Sequence, residues 1–531
     1  MVIEAGLLTA MHIPSRRWLQ CLGLGLALIF HSLFPLMSPS RMVYYHNSTG
    51  LRTIVAACFF DMVLGTIAAL LLWQAAQRAH CLGAFHFTIA FLGPLYLFAL
   101  DPALLQSAFV HLRAFLMGIP SMRSNYLPAS IPVGWAFASV PVWGLVLLVL
   151  AKAAPRVYGG VIAAGRIALM GLGIFALLGC WYLARAWNWR PNPGRAAPRF
   201  ARAAVNTHPR LVWILFDEWS YAQTFSDRPP DLPLPNFDAF AADSTVYSNV
   251  RPIGYWTEFV LPSLLLGRTI DRLRASQQDF PLIAEGPGPL EPFPTGEAIT
   301  ADAQRLGWNV GIDGWYNPYC SFLAGTYQRC TWIDYGEPSG PMIASDTLAS
   351  NMISGVLADM WPSEKARALK RVRGDGEVLF AQADQLLHDD SLDFLFLHFP
   401  LPHPPSAWDR KTGTWADAKT PYRPSYEDNL ALADRELGHI MQVLRADPRW
   451  PVTTVILNGD HSWRTKLHEH ANYWTPEDEH ISHQAYFDDR PAVAVHAAGQ
   501  TQARQVRGPV SLMIVHDLAE ATLHAGASPG Q

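Results

Sequence analysis

The stretch Arg210-Leu-Val-Trp-Ile-Leu-Phe-Asp-Glu218 decides how the chain reads. Its apolar run, Leu211 to Phe216, has no polar break and stops at two carboxylates, Asp217 and Glu218. A short, continuous apolar run is the pattern of a parallel strand buried on both faces. In open α/β sheets the groups that do chemistry sit just past the carboxyl ends of such strands. Two adjacent carboxylates raise each other's pKa there unless a cation offsets the repulsion. A hard divalent ion does this. Further on comes Thr257, within Gly254-Tyr-Trp-Thr-Glu-Phe-Val-Leu-Pro-Ser-Leu-Leu-Leu-Gly-Arg268.

Downstream of this strand the pattern repeats. Leu211–Phe216, Trp308–Ile312, Asp393–Phe399, Thr453–Leu457 and Ala492–His496 read as strands. Helical patterns lie between them, most clearly Tyr426–Arg445, where Leu430, Leu437, Ile440, Met441 and Leu444 share one side. The alternation predicts an α/β domain over 209–531, a mostly parallel sheet flanked by helices.

Upstream, the sequence changes character. Apolar runs at Trp18–Met37, Thr53–Trp73, Phe85–Leu100, Val133–Ala151 and Ile167–Leu183 predict an α-helical transmembrane domain of about five spans over 1–185. A cleaved signal peptide is the rival for the first run, but Pro35-Leu-Met-Ser-Pro39 offers no small-x-small cleavage site. Residues 186–208, rich in Pro, Arg and Asn, read as a linker. The positive-inside rule puts Arg16-Arg17 and Lys152/Arg156 in the cytoplasm, which leaves the C-terminal domain outside. Arg185, Arg190, Arg195, Arg199 and Arg202 argue the other way, although translocated domains are less bound by the rule.

At 531 residues the chain exceeds one ordinary domain, and a net charge of −4 points to no nucleic-acid partner. Cys320 and Cys330 are the cysteines of the soluble part. So close a pair suits a disulfide closing a short loop in an oxidising compartment, with two unpaired thiols as the alternative.

The ordered elements resemble the alkaline phosphatase superfamily in its sulfatase-like branch. Asp217-Glu218 matches the acidic end of that family's first strand, and Pro235-Asn-Phe-Asp238 its next element. Leu264-Leu-Leu-Gly-Arg268 matches the run after the nucleophile, and Thr257 stands eleven positions before that Arg, where sulfatases carry their modified residue. Pro402-His403-Pro-Pro405 and Gly459-Asp460-His461 match the two later elements. Thr257-Glu-Phe-Val-Leu261 cannot provide the formylglycine motif, and Gly314-Trp-Tyr-Asn317 lacks the lysine of the sulfate-binding element. Threonine as nucleophile is instead similar to the membrane-bound phosphoethanolamine and phosphoglycerol transferases and the lipoteichoic acid synthases. That resemblance implies a bacterial-type inner-membrane, multi-pass enzyme with an extracytoplasmic catalytic domain. It would take a phospholipid donor and a glycan or lipid acceptor.

The residues support that chemistry. A threonine hydroxyl is a weak nucleophile until a base or metal activates it. A divalent ion held by Asp217 and/or Glu218, Asp460 and His461 would bind the Thr257 oxygen and lower its pKa. Mixed oxygen and nitrogen donors suit Zn²⁺ or Mn²⁺, with Mg²⁺ or Ca²⁺ as further candidates. His403, with His398, would hold the phosphate or protonate the leaving group, and Lys466 and Arg464 would add positive charge. Each has a plainer alternative. Thr257 alone would be a helix N-cap, His403 an exposed loop histidine, and His468, His470, His480 and His483 a solvated cluster. A metal-dependent hydrolase, either a phosphodiesterase or a divergent sulfatase without formylglycine, is the alternative activity. A membrane assembly protein built on a relic of the fold is the non-enzymatic one.

Overall fold

The computed structural model describes residues 17–26, 51–79, 145–188, 195–200, 209–275, 281–286, 288–334, 364–416, 422–469, 471, 473–484 and 488–526. The chain divides into two compact units, one built chiefly on Thr49–Trp189 and the other on Arg190–Pro338 and Glu364–Gln531.

In the first unit, helices α1 (Leu51–Arg78) and α2 (Pro155–Trp187) are the long elements. Cys58–Arg78 and Pro155–Trp187 are long and apolar enough to cross a membrane by length and composition. Ile167, Leu72 and Phe175 are among their exposed apolar side chains. The predicted span Thr53–Trp73 falls in α1 and Ile167–Leu183 in α2. Phe85–Leu100 lies outside the described residues. Trp18–Met37 and Val133–Ala151 are described only over 18–26 and 145–151, both helical. The structure therefore holds two candidate spans among the described residues, not five. The 17–26 helix approaches its neighbours closely through glycines. A Cβ on Gly23 would come within 2.1 Å of the Leu169 carbonyl, and one on Gly173 within 2.0 Å of that of Leu19. Small residues of this kind let helix backbones pack closely in an apolar medium.

The second unit is built on an eight-stranded sheet. Its strands are β1 (Arg210–Phe216), β2 (Thr245–Tyr247), β3 (Val310–Tyr316), β4 (Arg329–Asp334), β5 (Phe394–Phe399), β6 (Thr453–Gly459), β7 (Val493–His496) and β8 (Arg504–Val506). Their order is β8-β2-β7-β6-β1-β5-β3-β4. β6, β1, β5, β3 and β4 run parallel, while β7 runs against both its neighbours. The period of two along β1 sorts its side chains. Val212, Ile214 and Phe216 enter one core with helices α5 (Glu364–Leu387) and α6 (Tyr426–Ala446). Leu211, Trp213 and Leu215 enter the other with α4 (Thr257–Leu266) and α7 (Ile514–Ala525).

The third predicted strand is shifted. Trp308 lies in a turn, and β3 starts at Val310 and runs on through Tyr316. Much of the predicted linker is not described, but 195–200 lies on the second unit. Ala197 N–H donates to Tyr327 O at 2.7 Å and Gly325 N–H to Arg195 O at 2.6 Å. These bonds satisfy backbone groups that a free linker would leave to water.

Two devices fix the elements that carry the site. Cys320, in the helical turn Tyr319–Phe322, is joined by a disulfide to Cys330 in β4, with Cα atoms 5.6 Å apart. Helix α3 (Pro235–Ala241) begins on the Asp434 side chain of α6, which accepts from the N–H groups of Asn236 at 3.0 Å and Phe237 at 2.8 Å. The Pro-Asn-Phe-Asp element is thus a structural joint. Asp434→Ala strands these donors and is expected to lower stability by about 1–3 kcal/mol, read as a fall in the thermal midpoint of the full chain.

Candidate metal centre and nucleophile

The sheet register brings the candidate residues to one level. Phe216 lies opposite Gly459 on one side and Phe399 on the other. Asp217, Asp460 and His461 therefore leave their strands at the same edge, and His398 sits one residue before the end of β5. Helix α4 opens at Thr257, with Trp256 as N-cap, and so aims its N-terminus at this edge. Its C-terminal turn needs Gly267, whose φ is +66° and whose added Cβ would strike the His516 ring at 2.4 Å.

Thr257 Oγ1 donates to Asp217 Oδ2 at 3.2 Å and lies 3.4 Å from His461 Nε2. His461 Nε2 is 3.1 Å from Asp460 Oδ2, and His398 Nε2 is 3.7 Å from Asp217 Oδ2. All five residues are buried. One ligand atom each from Asp217, Asp460 and His461 lies within 4.8 Å of the others. Asp217 Oδ1, Asp460 Oδ2 and His398 Nε2 have no hydrogen-bond partner. Buried carboxylate oxygens left without donors are costly, and a cation among them removes the cost. A divalent ion fits this donor set.

Burial pushes the Asp460 carboxyl up, but His461 beside it and a hydrogen bond from the Glu218 N–H more than reverse the shift and hold it low. His461 moves the other way. Burial lowers it, and the Asp460 charge outweighs burial and raises it.

Glu218 parts company with Asp217. Its φ of +61° is rare for a residue with a side chain and turns the backbone sharply after β1. Its carboxylate joins a second group with His403 and His468. Glu218 Oε1 and Oε2 lie 2.9 and 3.0 Å from His468 Nε2, and Oε1 accepts from Arg464 Nε. Burial alone would raise the Glu218 carboxyl, yet Arg464, His468 and His403 hold it well below the usual carboxylate range. His403 lies 3.8 Å from the Glu218 carboxylate, and burial lowers its pKa. The two acidic neighbours thus serve different groups.

His398 is oriented from behind, since its Nδ1 lies 2.8 Å from the Tyr319 hydroxyl. Trp315 packs edge-on against both His398 and His403. Trp256 is exposed and lies under the Arg464 guanidinium. Lys466 stands apart. It is exposed on the short helix Thr465–His468 and, among the described residues, makes no ion pair with either group. His470 is not described, nor is the His483 side chain, and His480 is exposed. Tyr319 and His468 carry more of the site than their sequence setting suggested. His468 falls four residues after Arg464, a spacing that places two helical side chains on one face. Tyr319 gave no comparable signal beyond its place next to Cys320.

No family model and no curated protein matches the chain. Solved structures do match. Ps i-CgsB, solved with k-i-k-neocarrahexaose, is 16% identical, with 61% of this chain and 73% of that one covered and a TM-score of 0.41. A protein in the alkaline phosphatase superfamily from Vibrio parahaemolyticus is 12% identical, with 64% and 71% covered and a TM-score of 0.37. The lipoteichoic acid synthase LtaP from Listeria monocytogenes is 11% identical, with 62% and 74% covered and a TM-score of 0.35. The chain resembles the alkaline phosphatase superfamily in its ordered sequence elements, and a protein described as a member of that superfamily is among the structures that match it.

Proposed function

We propose that this chain is a membrane-anchored, metal-dependent enzyme that transfers a phosphoryl-linked head group from a phospholipid to an envelope glycan or lipid through Thr257. One observation carries the reading. A buried threonine hydroxyl at a helix N-terminus lies 3.2 Å from Asp217 and 3.4 Å from His461, in a group whose ligand atoms lack donors.

A zinc or manganese ion held by Asp217, Asp460 and His461, with Thr257 beside them, would supply Lewis-acid polarisation and charge stabilisation. The protein's own groups do the rest. Asp217 Oδ2 accepts from the Thr257 hydroxyl and offers its proton a destination as the oxygen attacks phosphorus. The Thr257 oxygen–phosphorus bond forms as the bond to the leaving oxygen breaks, and the proton given up by Thr257 balances that oxygen. The first N–H groups of α4 lack intrahelical acceptors and favour an anion at this end. A phosphothreonine results. His403 rests neutral because burial lowers its pKa, which suits it to take a proton from the incoming hydroxyl. That hydroxyl then breaks the Thr257–phosphorus bond and restores the threonine. The long apolar helices favour a donor that lives in the bilayer. The Cys320–Cys330 disulfide favours an oxidising, extracytoplasmic compartment for the catalytic unit.

Mass spectrometry of the purified protein after incubation with phospholipid is expected to find a head-group phosphate adduct on the Thr257 peptide. A clean peptide under trapping conditions would count against the mechanism. With labelled lipid, label on an acceptor marks a transferase and label in water a hydrolase. Thr257→Ala is expected to lower turnover by at least about a thousandfold, as loss of a covalent nucleophile does. Tyr319→Phe leaves His398 Nδ1 without its hydroxyl partner. It is expected to weaken metal binding by about tenfold or more, read by titration with a zinc chelator.

A further inference from the structure

We infer that the Arg464 guanidinium occupies a second cation position beside the metal centre, so that this chain takes one divalent ion where its ligands would otherwise hold two. The inference rests on the reading of Asp217, Asp460 and His461 as the first metal site.

Glu218, His403 and His468 each bring a ligand atom within 4.8 Å of the others. One carboxylate with two imidazoles is a donor set for zinc. Arg464 is threaded through it. Its Nε donates to Glu218 Oε1, and its Nη2 lies 3.2 Å from His403 Nε2. Its Nη1 donates to Tyr255 O at 3.0 Å, and its central carbon sits 5.3 Å from the centre of the Trp256 ring. The side chain is held on several sides and is only 12% exposed. The buried Glu218 carboxylate needs a counter-charge. Here the chain supplies one that does not deprotonate and cannot be removed by a chelator. The charge lies in Coulombic reach of Asp217, Asp460 and His461 as well. A guanidinium cannot polarise a phosphoryl oxygen as a metal does. It can donate two hydrogen bonds to one. Arg464 would then mark the side of the centre where the phosphoryl oxygens lie.

Metal counting on the full chain in detergent tests this without an activity assay. The protein is stripped of metal, dialysed against zinc and measured by inductively coupled plasma mass spectrometry. The wild type is expected to hold about one equivalent and Arg464→Ser about two, the vacated ligands forming an ordinary zinc site. Arg464→Lys keeps the charge and is expected to stay at about one. Adding His468→Ala to Arg464→Ser is expected to return the count to about one. The inference is overturned if the wild type already holds two, or if a folded Arg464→Ser protein gains none. If Arg464→Ser loses its thermal transition, Arg464→Gln, closer in volume and uncharged, is counted in its place. Asp460→Asn separates the two ideas. If that variant keeps the wild-type zinc, the first-site reading fails, whereas a missing gain in the Arg464 variants sinks only the guanidinium assignment.

Discussion

The second unit depends on keeping three carboxylates, those of Asp217, Glu218 and Asp460, buried at one edge of a sheet. Left alone, each would protonate or destabilise the fold. The structure divides the problem. Asp460 Oδ1 accepts from the N–H groups of Glu218 at 3.0 Å and His461 at 2.9 Å. Glu218 turns to Arg464 and His468. Asp217 keeps the Thr257 hydroxyl and one oxygen with no donor. The carboxylate least compensated by the protein is therefore the one nearest the nucleophile. That is where an external cation has most to gain.

Scaffold and site are coupled through register. If β6 slipped by one residue against β1, Asp460 and His461 would change places relative to Asp217. The alternating packing of β1 into two cores prevents this, because a slip would move each apolar side chain to the opposite layer. Core packing and ligand geometry are thus set by the same strand pairings.

The central strands β1, β5 and β6 were legible because burial on both faces leaves an uninterrupted apolar run. Helix α6 was legible because its buried side is periodic. Strands β2, β4 and β8 carry Thr, Arg, Asp or Gln, lie at or near the sheet edges, and show no such run. The grouping of Asp217, Thr257, Asp460 and His461 could be anticipated from spacing, since each is tied to a strand end or helix start. The divergence of Glu218 could not, because it follows from a left-handed backbone angle that composition does not encode. Lys466 and Arg464 looked alike as nearby charges. They lie two residues apart on a short turn, so they face different ways. The masked stretches between the apolar runs of the N-terminal part leave the five-span expectation represented by two long helices among the described residues.

The Cys320–Cys330 crosslink lies next to Tyr319, whose hydroxyl orients His398. Where thiols stay reduced, that hydroxyl rides on an untethered loop and its grip on the imidazole loosens. Catalytic competence is then coupled to the redox state of the surroundings. A chain still on the wrong side of the bilayer would be a poor catalyst, which would shield cytosolic lipids from its chemistry before it reaches its working address.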